Sequence, residues 1–457
     1  MRKTLAQIAT WLKIREQDYS DTVVTGISID TRTIQPGDLF VPFRGEAVNG
    51  HKFVEQAFEK GAAASFWLAD EPNPPKNRPL IFVDDAEVAL QQMAIAYRSE
   101  HKATFIGITG SNGKTSTKDI LAGALSPYFK VQKTMGNFNN QLGLPITILQ
   151  LDEDTEISVL EMGMSGFGEI EFLTRIARPH LAVITNIGEA HMQELGSRAG
   201  IAQAKYEITK GLLEEGVLFF DGDEPLLRAL VAEDLDTETM SFGFAEHNTL
   251  VASHIETTET GSRFNVSGLI EGTFEISVLG EHQVKNALSA ILISKALGLT
   301  DEQIRTSLKQ VTLTDMRMQL VPMENGPLFI NDAYNAAPTS MRAAIQFVKK
   351  TAMRPEKWLV LGDMLELGED EKTLHEQMAA EIDAEKIARV CLYGPRMKWL
   401  YDKLRPVFGE QRLVYTETDY EPIIELICRD ANEQTLILLK GSRGMKLENI
   451  IKGIEQE

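Results

Sequence analysis

The stretch FIGITGSNGKTSTKDIL, from Phe105 to Leu121, limits the fold of this chain more than any other segment. An apolar run ends in a Gly-Ser-Asn-Gly loop, and apolar residues then recur at helical spacing from Ile120 onward. This order predicts a strand, a glycine-rich loop and a helix. A helix that begins directly after such a loop points unpaired backbone N–H groups and the positive end of its dipole at the loop, which favours a bound phosphate.

The side chains of the loop predict a nucleotide-binding P-loop. Lys114 supplies a point charge for the terminal phosphates, and Thr115 supplies a hydroxyl that can hold Mg²⁺. The loop is a shortened variant, because Gly110 precedes Gly113 by only three positions. A plain glycine turn is the alternative, and a Rossmann loop would leave the Lys-Thr pair unexplained. The predicted ATP-binding residues of the loop are Gly110, Ser111, Asn112, Gly113, Lys114, Thr115 and Ser116.

Length and charge restrict the possible classes of protein. A chain of 457 residues exceeds one hydrophobic core and predicts about two to four domains. A formal charge of −20 argues against nucleic-acid binding, which needs a basic face. Cys391 and Cys428 lie in apolar runs without metal-ligand spacing, which predicts buried, reduced thiols. The N-terminal segment is too polar for a signal peptide and no apolar run has transmembrane length, so we expect a cytoplasmic protein without membrane insertion.

The order of strands and helices predicts an α/β protein with three domains. Residues 1–102 contain strands in VVTGISIDTRT, DLFVPF and LIFVDD and a helix in FVEQAFEKGAAA, and they are expected to form a small α/β domain. Residues 103–314 alternate strand and helix as in a parallel sheet, followed by antiparallel strands between Thr239 and Gly280 and two further helices. Residues 315–457 repeat the alternation and predict a C-terminal, Rossmann-like α/β domain. We expect the central domain to be a P-loop ATPase domain.

Ionisable residues follow the strands of the central domain. In open parallel sheets, ligands bind outside the carboxyl ends of the strands. Glu161 ends the strand in EISVLEMGM, and Glu189 and His191 follow the strand in AVITNIGEAHM. A carboxylate after a buried strand needs a partner, and a cation held by phosphates would be one. Taken alone, Glu161 could be a salt bridge or helix cap, and His191 could be structural.

Lys205 lies on the apolar face of its helix. In GIAQAKYEITKGLL it falls between Ile201 and Ile208, on the face that continues to Leu212. The lysine is therefore directed toward the interior. The simple alternative is a stem that follows the apolar surface and keeps its ammonium at the rim.

Several motifs in order resemble the Mur ligase family, the ATP-dependent amide-forming enzymes of peptidoglycan synthesis. In the central domain they are TGSNGKTSTK, GNFNNQLGLP, LEMGMSGFGEI, TNIGEAHMQELGS and IAQAKYEI. The C-terminal motifs MRMQ, INDAYNAAPTSM, VLGDMLELGED and LLKGSRGMKLENI resemble the type that adds D-alanyl-D-alanine to UDP-N-acetylmuramoyl-tripeptide. The Asp-Asn-Pro-Arg motif of the type that adds a diamino acid is absent from the sequence.

The resemblance implies roles for individual residues. Lys114, Glu161, His191 and Lys205 would be catalytic, and Thr115, Glu161, His191 and carbamylated Lys205 would hold two Mg²⁺ ions beside ATP. Asn286, Arg317 and Asp332 would contact the nucleotide, and Tyr334 and Asn335 the dipeptide. The motif SIDTRTIQPGDLFVPFRGEAVNGHKF resembles a UDP-sugar module, which implies substrate contacts from Ser28, Asp30, Arg32, Phe43, Arg44 and Gly45. Pro42, Asn49 and Gln283 depart from the family pattern, and Arg317 with Asp332 could also be a surface pair.

These expectations describe one reaction, and two alternative functions remain beside it. ATP would activate the tripeptide carboxylate as an acyl phosphate, and the amine of D-alanyl-D-alanine would displace the phosphate. A folylpolyglutamate-type ligase lacks the first domain, so residues 1–100 argue against it. A P-loop protein that binds nucleotide without ligation would not need Lys205 on an inward face. A monomer is expected, because no exposed coiled-coil pattern is present.

Overall fold

The computed structural model describes residues 1–14, 21–45, 48–189, 191–258, 260–324 and 326–456, apart from the side chain of Gln193. Within these residues the chain is an α/β protein with one two-stranded sheet and three larger sheets. The α/β class expected from the sequence is confirmed.

The first domain is built around a four-stranded parallel sheet. Its elements are β1 (Lys3–Thr4), α1 (Leu5–Trp11), β2 (Val23–Val24), β3 (Gly26–Ser28), β4 (Asp38–Phe40), a 3-10 helix (Gly50–Phe53), α2 (Val54–Glu59), β5 (Ala64–Leu68), β6 (Leu80–Val83) and α3 (Ala86–Glu100). Strands β3 to β6 pair in sequence order, and β1 pairs with β2. The helix expected through Ala64 is wrong at its end, because Gly61 takes a left-handed conformation (φ +103°) and β5 begins at Ala64.

The central domain contains a nine-stranded sheet. Its elements are β7 (Thr104–Thr109), α4 (Lys114–Leu125), β8 (Val131–Lys133), α5 (Gly143–Leu149), β9 (Ile157–Glu161), α6 (Glu169–Ala177), β10 (Leu181–Ile184), α7 (Met192–Leu195), α8 (Arg198–Tyr206), a 3-10 helix (Glu207–Gly211), β11 (Val217–Asp221), α9 (Pro225–Glu233), β12 (Glu238–Gly243), β13 (Leu250–Thr258), β14 (Gly261–Gly268), β15 (Gly272–Ile276), α10 (Glu281–Ala296) and α11 (Asp301–Leu308). The strand order is β15-β14-β13-β12-β11-β10-β7-β9-β8.

The antiparallel segment expected between Thr239 and Gly280 is only partly present. Strands β13, β14 and β15 pair antiparallel, as expected. Strand β12 instead pairs in parallel with β11 and β13, so that prediction was wrong for β12. Helix α9 provides the crossover that brings β12 back beside β11 in the same direction.

The C-terminal domain contains a six-stranded sheet. Its elements are β16 (Gln319–Pro322), β17 (Leu328–Asn331), α12 (Pro338–Lys350), β18 (Glu356–Gly362), a 3-10 helix (Gly368–Asp370), α13 (Glu371–Gln377), a 3-10 helix (Met378–Glu381), β19 (Arg389–Tyr393), α14 (Met397–Phe408), β20 (Leu413–Thr416), α15 (Glu421–Asp430), β21 (Thr435–Lys440), a 3-10 helix (Arg443–Met445) and α16 (Glu448–Ile454). The order is β16-β17-β21-β18-β19-β20, with only β16 antiparallel among the described strands.

The first and central domains share a hydrophobic core. Buried side chains of α1 and α3 pack into the same cluster as those of α5 and α6. The Tyr97 hydroxyl donates to the carbonyl of Leu151 at 2.8 Å, and the Arg98 Nε donates to the carbonyl of Ala177 at 2.6 Å. The first domain is therefore fixed against one face of the central sheet. The domain boundaries expected after residues 102 and 314 stay predictions.

The cysteines and the helices bear on two further expectations. Cys391 is buried in β19, as expected, whereas Cys428 is exposed on α15. The expectation of a buried thiol was therefore wrong for Cys428, because its position in α15 lies outside the buried stripe of Ile423, Ile424 and Ile427. Across the described parts of the chain, none of the helices has the length and hydropathy needed to span a membrane.

Candidate active site

The P-loop connects the middle strand β7 to α4. Gly110 has a φ of +150° and Gly113 has a φ of +81°, backbone angles that residues with a side chain rarely adopt. A Cβ atom on Gly113 would lie 2.7 Å from Oδ1 of Asn286, and one on Gly110 would lie 1.8 Å from Oγ1 of Thr185. Both glycines are therefore required by backbone conformation and by close neighbours. The loop is more than a generic turn, because its shape depends on contacts with other segments.

Two residues that follow β10 hold the loop in place. The Ser111 amide donates to the carbonyl of Asn186 at 3.0 Å, and the Asn112 amide donates to Oδ1 of Asn186 at 3.0 Å. The carbonyl of Asn112 accepts from Oγ1 of Thr185 and from Nδ2 of Asn186 at 2.5 and 2.9 Å. Hydrogen bonds within the protein thus fix the conformation of the loop, which lowers the ordering cost of binding a ligand there.

Lys114 folds over the loop. Its ammonium donates to the carbonyl of Gly110 at 2.8 Å. Burial lowers the pKa of Lys114, and the carboxylate of Glu161 opposes that shift. A phosphate in the loop would offer this ammonium a stronger acceptor than a carbonyl.

Glu161 lies at the end of β9 and is only 3% exposed. Its Oε2 accepts from the Thr115 hydroxyl at 2.9 Å, and its Oε1 accepts from the Asn139 amide at 2.9 Å. The Lys118 ammonium is 3.8 Å from Oε2. A carboxylate and a hydroxyl side by side supply the oxygen ligands that Mg²⁺ prefers, and Mg²⁺ usually takes the remainder from phosphates and water. The two residues therefore fit the expected magnesium site.

Lys205 is buried in the central domain. It is 2% exposed, so the alternative of an ammonium at the rim is wrong. Burial lowers the pKa of Lys205 well below its ordinary value, and Lys114 lowers it further. Among the described residues, no carboxylate lies within ion-pair distance of this ammonium. A buried amine without a counter-ion is costly as a cation, which favours its neutral form.

His191 lies close to both lysines. It takes a left-handed conformation (φ 64°) directly before α7. Burial lowers the pKa of His191, and Lys205 and then Lys114 lower it further. Three basic groups therefore share one region beside the P-loop. The described residues include no group of three or more His, Cys, Asp and Glu side chains that could hold a metal by itself.

The C-terminal domain faces the P-loop across a cavity of about 300 Å³. Arg317 lies over the ring of Tyr334, with its guanidinium carbon 4.2 Å from the ring centre, and its buried Nε has no hydrogen-bond partner among the described residues. Asp332 pairs with Lys440 at 2.5 Å. Arg317 and Asp332 are therefore cavity residues, and the alternative of a surface pair between them is wrong.

The cavity collects most of the predicted nucleotide residues. It is lined by predicted Ser111, Asn112, Gly113, Lys114, Thr115, Ser116, Glu161, Asn286, Arg317, Asp332, Tyr334 and Asn335 and by the unpredicted Asn139, Asn186, His282, Gln283 and Lys440. Gln283 donates to Ser116 at 3.3 Å and accepts from Asn286 at 3.0 Å. A second cavity of about 710 Å³ adjoins it at Asn112 and Gly113. His191 instead lines a smaller cavity between the central and C-terminal domains.

Of the unpredicted residues Lys440 and Asn139, only Lys440 carried a usable sequence signal. Lys440 ends the apolar strand β21, as Glu161 ends β9, so the rule applied to the central domain would have identified it. Asn139 lies in an irregular segment before α5, where spacing indicates no direction for a side chain.

The residues predicted to bind the UDP substrate lie in the first domain, and none of them lines the cavities described above. Asp30 accepts from Arg32 at 2.6 to 3.0 Å, and these hydrogen bonds hold the pKa of Asp30 at about 2. Arg44 is bound by Asp70 and Glu71 at 2.7 to 2.9 Å. Of the remaining residues, Ser28 ends β3, Phe43 packs on the core, and Gly45 donates to the carbonyl of Val48 at 2.9 Å.

Three family models match successive parts of the chain. Residues 23–98 match the model described as Mur ligase family, catalytic domain, and residues 108–294 match Mur ligase middle domain. Residues 316–443 match Mur ligase, glutamate ligase domain. Together these matches extend over most of the chain.

Relatives match over nearly the whole length. The chain is 45% identical to UDP-N-acetylmuramoyl-tripeptide–D-alanyl-D-alanine ligase of Bacillus subtilis, over 99% of this chain and 98% of the relative. The enzyme of the same name from Escherichia coli is 30% identical over 99% and 98%. Crystal structure II of MurF from Acinetobacter baumannii superposes with a TM-score of 0.88 at 28% identity, covering 100% and 99%. MurF ligase from Thermotoga maritima in complex with ADP has a TM-score of 0.83 at 28% identity, covering 95% and 98%.

Proposed function

This chain belongs to the Mur ligase family, and we propose that it joins D-alanyl-D-alanine to UDP-N-acetylmuramoyl-tripeptide with conversion of ATP to ADP and phosphate. Relatives that bear the name of this activity align with the chain from end to end. The observation that carries the proposal is the cavity in which the P-loop, Glu161 and the C-terminal residues Arg317 and Asp332 converge. Such a cavity suits a nucleotide held between two domains.

The P-loop would hold the phosphates of ATP. Its backbone amides and Lys114 supply donors and positive charge, and Arg317 brings a guanidinium whose Nε lacks a partner among the described residues. Asn286 and Asp332 would contact the nucleotide from opposite walls of the cavity. Thr115 and Glu161 would hold one Mg²⁺. When bound, Mg²⁺ would neutralise phosphate charge.

Lys205 would act as a carbamate. Its neutral amine would attack CO₂, forming an N–C bond and releasing a proton, and the product is an anion with two oxygen ligands. This change replaces a buried neutral amine that lacks a carboxylate partner with an anion beside Lys114 and His191. Carbamylated Lys205 and His191 would then hold a second Mg²⁺ near the substrate carboxylate. The absence of a cluster of three His, Cys, Asp or Glu side chains in the described residues fits a site that needs this modification.

The ligation would proceed through an acyl phosphate. An oxygen of the tripeptide carboxylate attacks the γ-phosphorus and ADP leaves, and Lys114 stabilises the charge on the transferred group. The dipeptide amine then attacks the activated carbonyl, and phosphate leaves with the former carboxylate oxygen. Tyr334 and Asn335 would orient the dipeptide, because they lie on the C-terminal wall of the cavity.

The first domain would bind the uridine nucleotide of the substrate through Ser28, Asp30, Arg32, Phe43, Arg44 and Gly45. In this structure Asp30 neutralises Arg32, and Asp70 and Glu71 neutralise Arg44. Binding of a diphosphate would therefore require the arginines to exchange carboxylates for phosphates. A cytoplasmic location and a monomeric state stay predictions.

The rival functions receive less support. Folylpolyglutamate synthase of Mycobacterium tuberculosis superposes with a TM-score of 0.63 at 18% identity and covers 80% of this chain, which indicates a common fold. A protein that binds nucleotide without ligation would not need a buried lysine beside His191.

Release of phosphate from ATP tests the proposal. Release should require both UDP-N-acetylmuramoyl-tripeptide and D-alanyl-D-alanine, and the product should be heavier than the tripeptide substrate by one dipeptide less one water. Stimulation by folate with glutamate, but not by these two substrates, would contradict the proposal. Nucleotide binding without stimulated release by either pair would support the non-ligating rival.

A further inference from the structure

Asp119 connects the P-loop helix α4 to the linker, which we define as residues 309–318 between α11 and β16. It lies in the second turn of α4 and is 1% exposed. Its Oδ2 accepts from the amide of Thr314 at 2.9 Å and from the hydroxyl of Thr314 at 2.7 Å. Its Oδ1 accepts from Lys133 at 2.6 Å. A buried carboxylate with three donors is a rigid anchor, and its loss would leave those donors unpaired.

The linker is held on its other side by the C-terminal domain. The amide of Met318 donates to Oδ1 of Asp332 at 3.1 Å, and the amide of Tyr334 donates to the carbonyl of Met316 at 3.2 Å. Met316 and Met318 have φ of 64° and 52°. Left-handed methionines are uncommon and persist where surrounding contacts hold them. Arg317 lies between them, so its backbone position depends on contacts at both ends of the linker.

We propose that Asp119 is a positioning residue that, by holding Thr314 on the P-loop helix, sets where the Arg317 guanidinium enters the nucleotide cavity. Thr314 and Arg317 are three residues apart, so their Cα atoms are separated by at most roughly 11 Å. Over so short a distance, a shift of Thr314 is transmitted to Arg317. The helix that carries Asp119 also begins with Lys114, so one rigid element orients both basic groups toward the phosphates.

A second route from Asp119 leads to the predicted magnesium site. Lys118 is 2% exposed, and its ammonium lies 3.9 Å from Oδ1 of Asp119 and 3.8 Å from Oε2 of Glu161. An effect of the Asp119 charge through Lys118 on Glu161 is therefore the rival explanation, and it would persist in the Arg317→Ala background. Substitution of Thr314 distinguishes the two routes. The Thr314 hydroxyl donates to Oδ2 of Asp119 and lies in the linker, so its loss changes the route to Arg317 and leaves the Asp119 charge in place.

The inference rests on the proposed nucleotide site, and a binding cycle with Mg²⁺-ADP tests it without ligation. Calorimetry would measure the Kd of the full-length wild type, Asp119→Asn, Arg317→Ala and the double variant. We expect Asp119→Asn to raise the Kd about tenfold, as for loss of a charge-assisted hydrogen bond. In the Arg317→Ala background the same substitution should change the Kd less than about twofold, because its effect passes through Arg317.

Two further variants provide a second test of the Asp119–Thr314 contact and a control. Thr314→Val leaves the charge of Asp119 in place and should raise the Kd about threefold, in line with one hydrogen bond. Asp301→Asn removes a 2.6 Å ion pair with Lys295 in the same domain and should leave the Kd unchanged. Additive effects of Asp119→Asn and Arg317→Ala, or an unchanged Kd in Thr314→Val, would overturn the inference. Failure of the wild type to ligate while the coupling persists would overturn the proposed function alone.

Discussion

The hydroxyl of Thr115 donates a 2.9 Å hydrogen bond to Oε2 of Glu161, across 46 positions of the chain. Thr115 lies in the first turn of the P-loop helix α4, and Glu161 ends the neighbouring strand β9. The amide of Asn139 donates to the other carboxylate oxygen, also at 2.9 Å. The Glu161 side chain is thereby held by two donors in a buried position beside the loop. In the proposed site, this pair would supply oxygen ligands for Mg²⁺ beside the terminal phosphates of the nucleotide.

Glu161→Gln should lower kcat about 100-fold or more, because the charge that binds Mg²⁺ is lost while the hydrogen bonds can persist. The KM for UDP-N-acetylmuramoyl-tripeptide should stay within about twofold, because Glu161 lies outside the first domain. Steady-state kinetics at saturating Mg²⁺ provide the measurement. Glu171→Gln, which removes an exposed pair with Arg175, is the control. Activity near that of the control would contradict the role of Glu161.

Gly113→Ala should weaken nucleotide binding, whereas Gly168→Ala should not. The two glycines have nearly the same φ, 81° and 80°, so the backbone strain of an added Cβ is matched. Only at Gly113 would the Cβ lie 2.7 Å from Asn286; at Gly168 nothing lies within 4 Å. We expect both variants to lose about 1 kcal/mol of stability and only Gly113→Ala to raise the Kd for ADP. Thermal unfolding and calorimetry would measure the two effects, and equal Kd values would contradict the prediction.

Lys205→Ala should abolish ligation while the P-loop still binds nucleotide. With ¹³C-bicarbonate, the wild type should give a carbamate NMR signal that is absent from the variant. Lys210→Ala is the matched control, because Lys210 is exposed on the adjoining 3-10 helix. It should keep both the signal and the activity. Full activity of Lys205→Ala would refute the carbamate.

The central and C-terminal domains should close over the nucleotide. Between the described residues of the two domains there are two ion pairs, Glu189–Arg342 at 3.2 Å and Glu281–Lys350 at 3.6 Å. The first pair is part-buried and the second is exposed. Ion pairs that solvent can reach are weak, so both pairs permit movement between the domains. Small-angle scattering should give a smaller radius of gyration with ATP analogue and UDP substrate than without them. Identical profiles would contradict closure.

Only Cys428 should react with a thiol reagent in the native protein at pH 8. Cys428 is exposed on α15, whereas burial raises the pKa of the Cys391 thiol to about 12. Because the pKa of Cys391 is raised, its thiol stays protonated and unreactive as the pH rises through the usual thiol range. Cys428→Ser should remove the native reaction, and guanidinium should expose a second thiol in the wild type. Two fast thiols in native protein would contradict the fold around β19.

Predictions from the sequence were most accurate for features that the residues of a single short segment determine. The β7–loop–α4 unit, Glu161 at the end of β9 and inward-facing Lys205 each depend on local spacing, and the structure has each in that form. The Lys-Thr pair was informative because both side chains belong to one helix start. No long-range contact was needed for these predictions.

Other features depend on pairing that spacing does not encode. Strand β12 resembles its antiparallel neighbours in composition, but its direction is set by the crossover through α9. Asn139 and Lys440 reach the cavity from segments distant in the chain. Cys428 lies in an apolar run, yet helix geometry turns it toward solvent. Contacts between Asp119 and Thr314 likewise become visible only after folding.

The transfer of carboxylate oxygen to phosphate tests the central claim most directly. UDP-N-acetylmuramoyl-tripeptide would be labelled with ¹⁸O in its reacting carboxylate and incubated with ATP, Mg²⁺ and D-alanyl-D-alanine. If the carboxylate attacks the γ-phosphorus and the amine then expels phosphate, mass spectrometry should find one ¹⁸O atom in each released phosphate. Phosphate without ¹⁸O, formed alongside the pentapeptide product, would contradict activation of the carboxylate by ATP.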